Sequence, residues 1–167
     1  MQKIIILEGH DQGGKSHIAA ALSKELGIPV FKVQRDKYNW DKNANLAYGT
    51  EQITQFIEQS KCSVILDRFM PSDFMYSRLF DRDVDYDKIW ELDLRFSQMN
   101  TLLVICYKNE ENQIDDIEDK DFVNKSQYNE MTKIYRQYAA ESNLKVLFLN
   151  TSDEDLENQL SLIKKNI

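Results

Sequence analysis

The stretch Gly9-His10-Asp11-Gln12-Gly13-Gly14-Lys15-Ser16 constrains this chain more than any other, because it fits G-x-x-x-x-G-K-[ST] and separates two differently patterned segments. Before it, residues 3 to 7 form a β-branched apolar run. After it, Ile18, Leu22 and Leu26 recur at helical spacing until Gly27 and Pro29 stop the helix. A strand, a glycine-rich turn and a helix in that order aim successive backbone N–H groups and the positive end of a helix at phosphate oxygens. Lys15 then reaches the outer phosphates, and the Ser16 hydroxyl takes a Mg²⁺ position. The motif assigns Gly9, Gln12, Gly13, Gly14, Lys15 and Ser16 to a nucleotide's phosphates. His17, next in the first helical turn, is placed with them, although a plain surface histidine is the simpler reading.

The remainder alternates short apolar runs with helix-period segments, the pattern of a parallel sheet covered by helices. Residues 30 to 33 give a second strand, and the polar stretch 34 to 48 reads as a long loop. Thr50 is expected to cap a helix that buries Ile53, Phe56 and Ile57 and leads to a third strand at 63 to 66. Two helices follow, around 72 to 80 and 86 to 98. Residues 101 to 107 are continuously apolar, as suits a strand buried on both faces. Between 126 and 142, Tyr128, Met131, Tyr135 and Tyr138 form one helical stripe. A fifth strand at 146 to 149 and a last helix capped by Ser152, with Leu156, Leu160 and Ile163 inward, complete a single three-layer α/β domain of about five strands and about six helices.

Length and composition agree with one ordinary globular domain: 167 residues, 42% hydrophobic, 29% charged. No apolar stretch approaches the roughly 18 to 20 residues of a membrane span, and Glu8 interrupts the start too early for a secretory leader. A soluble, cytoplasmic protein is expected. Cys62 and Cys106 sit in apolar runs and read as free thiols, and with only His10 and His17 beside them no zinc spacing appears. The net charge of -7 opposes broad affinity for nucleic acid. Charge is uneven, however: residues 1 to 40 carry six basic and four acidic side chains, whereas 108 to 121 carry two and seven. A small phosphate-bearing ligand near the first segment is compatible with that distribution.

A phosphate loop does not name a reaction. Asn124-Lys125-Ser126-Gln127 lacks the acid of a guanine-reading Asn-Lys-x-Asp element and precedes a helix, which argues against a signalling GTPase. More telling is Asp67-Arg68-Phe69 at the end of the third predicted strand, the edge of an open parallel sheet where ligands bind. Asp67 can face Mg²⁺ opposite Ser16, and Arg68 can grip a phosphate through two N–H groups.

Together these residues resemble the thymidylate kinase-like branch of the nucleoside and nucleotide kinases. Leu7-Glu8-Gly9-His10-Asp11-Gln12-Gly13-Gly14-Lys15-Ser16 is similar to that family's F-E-G-x-D-x-x-G-K-[ST], and Asp67-Arg68-Phe69-Met70-Pro71-Ser72 with Tyr76 is similar to its D-R-[YFW]-x-x-S-x-x-x-Y. The resemblance implies the P-loop nucleoside triphosphate hydrolase fold and phosphoryl transfer from ATP with Mg²⁺. It makes Lys15, Asp67, Arg68 and Asp11 the catalytic set, with Ser16 and Asp67 at the metal. On the acceptor side it places Asp11 at a sugar 3′-hydroxyl, Arg68 and Arg35 at the acceptor phosphate, and Asp36, Ser72 and Tyr76 along the pocket. Phe69, Tyr38 or Trp40 is available to stack on a base, or simply to pack in the core.

The departures are instructive. Family members with Asp in the loop usually follow it with Arg, and here that position is Gln12. The alternative is a basic lid after the fourth strand, yet residues 108 to 126 offer only Lys108, Lys120 and Lys125. Charge on the transferring phosphoryl must then be met by one of these, by Arg78 or Arg82, or by further Mg²⁺. The leading expectation is a kinase acting on a deoxynucleoside monophosphate, dTMP or a related pyrimidine, in nucleotide biosynthesis. Its rivals are a kinase acting on a hydroxyl of a nucleoside or of a base or end in DNA, with Asp36 or Asp67 as base, and a non-catalytic nucleotide-binding module. The resemblance also allows a homodimer, and the compact length would suit a viral enzyme.

Overall fold

The structure, a computed structural model, describes residues 2–10, 13–32, 46–112, 125–152 and 155–167. Five strands, β1 (Ile4–Gly9), β2 (Val30–Lys32), β3 (Val64–Asp67), β4 (Thr101–Tyr107) and β5 (Lys145–Asn150), make one sheet in the order β2-β3-β1-β4-β5. Every neighbouring pair is parallel. Parallel neighbours need long crossovers, and helices fill them: α1 (Lys15–Leu26), α2 (Leu46–Ser60), α3 (Met70–Phe80), α4 (Tyr86–Ser97) and α5 (Lys125–Glu141), with α6 (Leu156–Asn166) after β5. A 3₁₀ turn, Glu110–Asn112, follows β4.

Side chains alternate across a strand, so β1 sends Ile4 and Ile6 to one face and Ile5 and Leu7 to the other. Ile5 and Leu7 join Ile18 and Leu22 of α1 and Leu160 and Ile163 of α6 in one core. Ile4 and Ile6 join a larger core built with α2, α3, α4 and α5, which contains Phe74, Phe96, Met131 and Tyr138. The predicted stripe of α5 is buried as expected, with Tyr128, Met131, Tyr135 and Tyr138 at most 1% exposed. The result is the expected three-layer α/β fold, and β1 is the strand from which the sheet order runs both ways.

Two expected caps are elsewhere. Helix α2 begins at Leu46, inside the stretch read as loop, because Leu46 and Ala47 are good helix formers; Thr50 therefore lies within the helix, its carbonyl accepting from the Thr54 hydroxyl at 2.7 Å. Helix α6 is capped by Asp155, whose carboxylate accepts from the Asn158 N–H at 2.9 Å. Ser152 accepts instead from the Asn109 N–H at 2.9 Å and ties the end of β5 to the end of β4. Cys106 is buried as expected, and burial pushes its thiol up to about 12, whereas Cys62 is only half-buried. Among the described residues, no helix is long and apolar enough to cross a membrane.

Candidate active site

At the end of β1 the backbone turns against β4. Gly9 has φ 130°, and a Cβ there would lie 2.0 Å from the Cys106 carbonyl oxygen, so the position excludes any side chain. The loop returns through a bond from the Gly13 N–H to the His10 carbonyl and enters α1 at Gly14, whose φ is 78°. Gly14, at the N-cap, has no side chain with which to cap α1. The first residues of α1 instead line a cleft of about 280 Å³ bounded by Gly13, Gly14, Lys15, Ser16, His17, Lys32, Asp67 and Arg68.

Of the sequence-predicted donor-side residues, Gly13, Gly14, Lys15, Ser16 and His17 thus line one cleft. The Lys15 ammonium, 6% exposed, donates to the carbonyls of Gly9 at 3.0 Å and His10 at 2.6 Å, which holds the positive charge inside the loop's curl. The Ser16 hydroxyl donates to Asp67 Oδ2 at 3.2 Å across the gap between α1 and β3. A hydroxyl and a carboxylate are hard oxygen donors, and they fit Mg²⁺, which is held by one or two protein oxygens and keeps its other positions for water or phosphate. Lys32, from the end of β2, stands 3.5 Å from both Ser16 Oγ and Asp67 Oδ2. Sequence reasoning missed its place here, because only the β2–β3 register, which pairs Lys32 with Asp67, brings it to the cleft.

Arg68 follows Asp67 in the left-handed region, φ 67°, unfavourable for a residue with a Cβ. Its N–H donates to the Leu7 carbonyl at 3.0 Å. Its guanidinium lies beside the Ser72 hydroxyl at 3.4 Å and over the Tyr76 ring at 5.6 Å. Ser72, itself buried, and Tyr76 therefore back Arg68 at the wall of the cleft, which neither of them lines. Phe69 does not: its ring is 5% exposed and edge-on to Phe96 at 5.2 Å, so it belongs to the core and has no face to offer a base.

Behind this wall is a residue that the sequence reading gave no role. Glu8 alternates onto the same face of β1 as Ile4 and Ile6 and is fully buried. It accepts from the Phe69 N–H at 2.7 Å, the Ser72 N–H at 3.3 Å, the Ser72 hydroxyl at 2.6 Å and the Tyr135 hydroxyl at 2.9 Å. Burial pushes its carboxyl above the usual range, opposed by the charge of Arg68 and then by these bonds. His10, also without a predicted role in the site, stacks on Tyr128 at 4.4 Å and accepts the Lys108 N–H on Nε2 at 3.2 Å, so it ties the loop to α5 and to the chain leaving β4.

Arg78 and Arg82 are away from this cleft. They border a second depression at the far end of α3, where Arg78 lies over Phe74 at 4.6 Å and Arg82 over Phe80 at 4.8 Å. Arg78 is eight positions beyond Met70, about 12 Å along α3 at 1.5 Å per residue, and neither arginine lines the cleft at Lys15. Asp11, Gln12, Arg35, Asp36, Tyr38, Trp40 and Lys120 lie outside the described residues, as does most of the expected lid at 108 to 126.

Similarity to known proteins agrees with this fold. No family model matches the chain. Over 93 residues it is 37% identical to the SPbeta prophage-derived uncharacterized protein YorR of Bacillus subtilis (strain 168), a match covering 56% of this chain and 52% of that protein. The match therefore spans about half the length of this curated relative. A crystal structure of YorR from Bacillus subtilis in complex with phosphorylated GDP superposes with TM-score 0.70 at 20% identity, covering 96% of this chain and 95% of that one. Thymidylate kinase from Candida albicans superposes with TM-score 0.68 at 14% identity, over 98% and 90%. The fold is that of the P-loop nucleotide kinases. Deoxyadenosine kinase from M. mycoides, with dCMP and a flexible dCDP bound, shares it as well, with TM-score 0.61 at 16% identity over 97% of each chain.

Proposed function

We propose that the chain transfers the γ-phosphoryl of Mg²⁺-ATP to a deoxynucleoside monophosphate, most simply dTMP or a related pyrimidine. The observation that carries the reading is one cleft in which Lys15 and the first turn of α1 face the Ser16–Asp67 pair, with Arg68 on the adjoining wall. Lys15 and the loop N–H groups bind and orient the donor phosphates, and Ser16 and Asp67 hold Mg²⁺, which offsets phosphate charge when bound. Arg68, beside Ser72 and Tyr76, takes the acceptor phosphate. Asp11, Arg35 and Asp36 are proposed on the acceptor side, and Gln12 and His17 beside the donor. Catalysis is by positioning and charge neutralisation.

The donor half is tested by titrating Mg²⁺-ATP into the wild type, Lys15→Ala and Asp67→Asn. Lys15→Ala is expected to weaken binding about 100-fold or more, near 2.7 kcal/mol. Asp67→Asn is expected to leave metal-free ATP binding in place and to remove the gain that Mg²⁺ brings. Wild-type affinity in the Lys15 variant would contradict the reading. Of the two carboxylates named as base for transfer to a hydroxyl, Asp67 is engaged by Ser16 and Lys32, and Asp36 lies outside the described residues.

A further inference from the structure

Glu8 raises a physical question: a carboxyl group fully buried on a central strand is costly unless it is paired and hydrogen-bonded. Its two oxygens are each bonded twice, Oε1 by the N–H groups of Phe69 and Ser72 and Oε2 by the hydroxyls of Ser72 and Tyr135. The donors from Phe69 and from the first turn of α3 follow Arg68 in the chain. On the other side, Arg68's own N–H is fixed to the Leu7 carbonyl, one residue before Glu8. Two adjacent residues of β1 thus clamp the backbone before and after Arg68, the residue held at φ 67°. Such a conformation persists where the surroundings over-determine it. The clamp also reaches the side chain, since the Ser72 hydroxyl gives its proton to Glu8 and its oxygen to the Arg68 guanidinium at 3.4 Å.

We infer that Glu8 is the positioning residue for Arg68, setting through the β3–α3 turn and Ser72 the direction in which the guanidinium enters the acceptor side of the cleft. Tyr135 extends the same arrangement to α5. The inference rests on the reading of Arg68 as the ligand of the acceptor phosphate. Glu8 itself touches neither substrate nor metal, so its removal acts on the acceptor and spares the donor.

Glu8→Gln keeps the size and the oxygen facing Phe69 and Ser72 and removes the charge. For this variant the melting temperature is expected within about 4 °C of wild type and the Mg²⁺-ATP dissociation constant within about twofold, while KM for the monophosphate rises about tenfold or more. Tyr135→Phe, which removes one of the four bonds, is expected to shift the same KM in the same direction by less. In an Arg68→Ala background, Glu8→Gln should add less than about twofold, because the residue it positions is gone. Equal losses toward ATP and acceptor, or full additivity with Arg68→Ala, would overturn the inference while leaving the proposed reaction intact. If the wild type phosphorylates no monophosphate, the reaction fails on its own account and crystal structures of wild type and E8Q decide. Displacement of Arg68 from its left-handed conformation and from Ser72 supports the inference, and an unmoved Arg68 overturns it.

Discussion

Gly9 shows how far one position can be argued from its atoms. A methyl group there meets the Cys106 carbonyl at 2.0 Å, backbone against backbone, in a conformation L residues rarely adopt. Crowding and strain together cost about 3 kcal/mol or more, so Gly9→Ala should melt about 6 to 12 °C lower in thermal unfolding and lose ATP binding. An unchanged melting temperature with intact binding would mean that the loop has room the structure does not show. The phosphate loop was legible in the sequence because its chemistry is local, carried by spacing within eight residues. Glu8, Lys32 and His10 were not, because their partners are Ser72 and Tyr135, Asp67, and Lys108 and Tyr128, far along the chain. Strand parity predicts that Glu8 faces inward, but not that four donors wait there. Phe69 was open to either reading on sequence grounds, and its burial against Phe96 decides for the core.

At the scale of elements, α2 and α4 are joined by charge. Arg95 of α4 bonds Glu58 at 2.7 Å and Glu51 at 2.8 Å, and Lys88 bridges Glu51 as well. The Lys88 bond, partly opposed by burial and supplemented by Arg95, lowers the Glu51 carboxyl to about 2 from its usual 4.5. A depressed carboxyl stabilises the fold above its unfolded value, and the gain disappears as pH falls from about 4.5 toward 2. Because the network is partly exposed, its worth is about 1 kcal/mol, so Glu51→Gln should melt about 2 to 4 °C below wild type at pH 7. The two melting curves should converge near pH 2; a constant offset across pH would show that Glu51 acts by packing instead. Helix positions were readable from apolar spacing, but the buried face of α2 was drawn too wide: Ile57 is buried, whereas Phe56, expected inward, is 64% exposed. The caps Thr50 and Ser152 were misplaced because a hydroxyl signals only a local opportunity, and good helix formers before Thr50 and an aspartate directly before Leu156 competed better.

Across the whole molecule, the order β2-β3-β1-β4-β5 brings the ends of β1, β2 and β3 to one edge, and with them Lys15, Lys32, Asp67 and Arg68. An acidic chain thereby concentrates cations where phosphates would sit, which favours a small phosphorylated partner over a long nucleic acid. Lys32 is the basic side chain that the sheet register adds to the cleft, whereas Arg78 and Arg82 are carried away by α3. The most direct test of the proposed reaction is acceptor-dependent ADP production from Mg²⁺-ATP with dTMP, dUMP, dCMP, dGMP, thymidine and DNA as acceptors. The expected result is turnover with a pyrimidine monophosphate that Lys15→Ala abolishes. Turnover only with thymidine or DNA, or ATP bound without turnover of any acceptor, would contradict it.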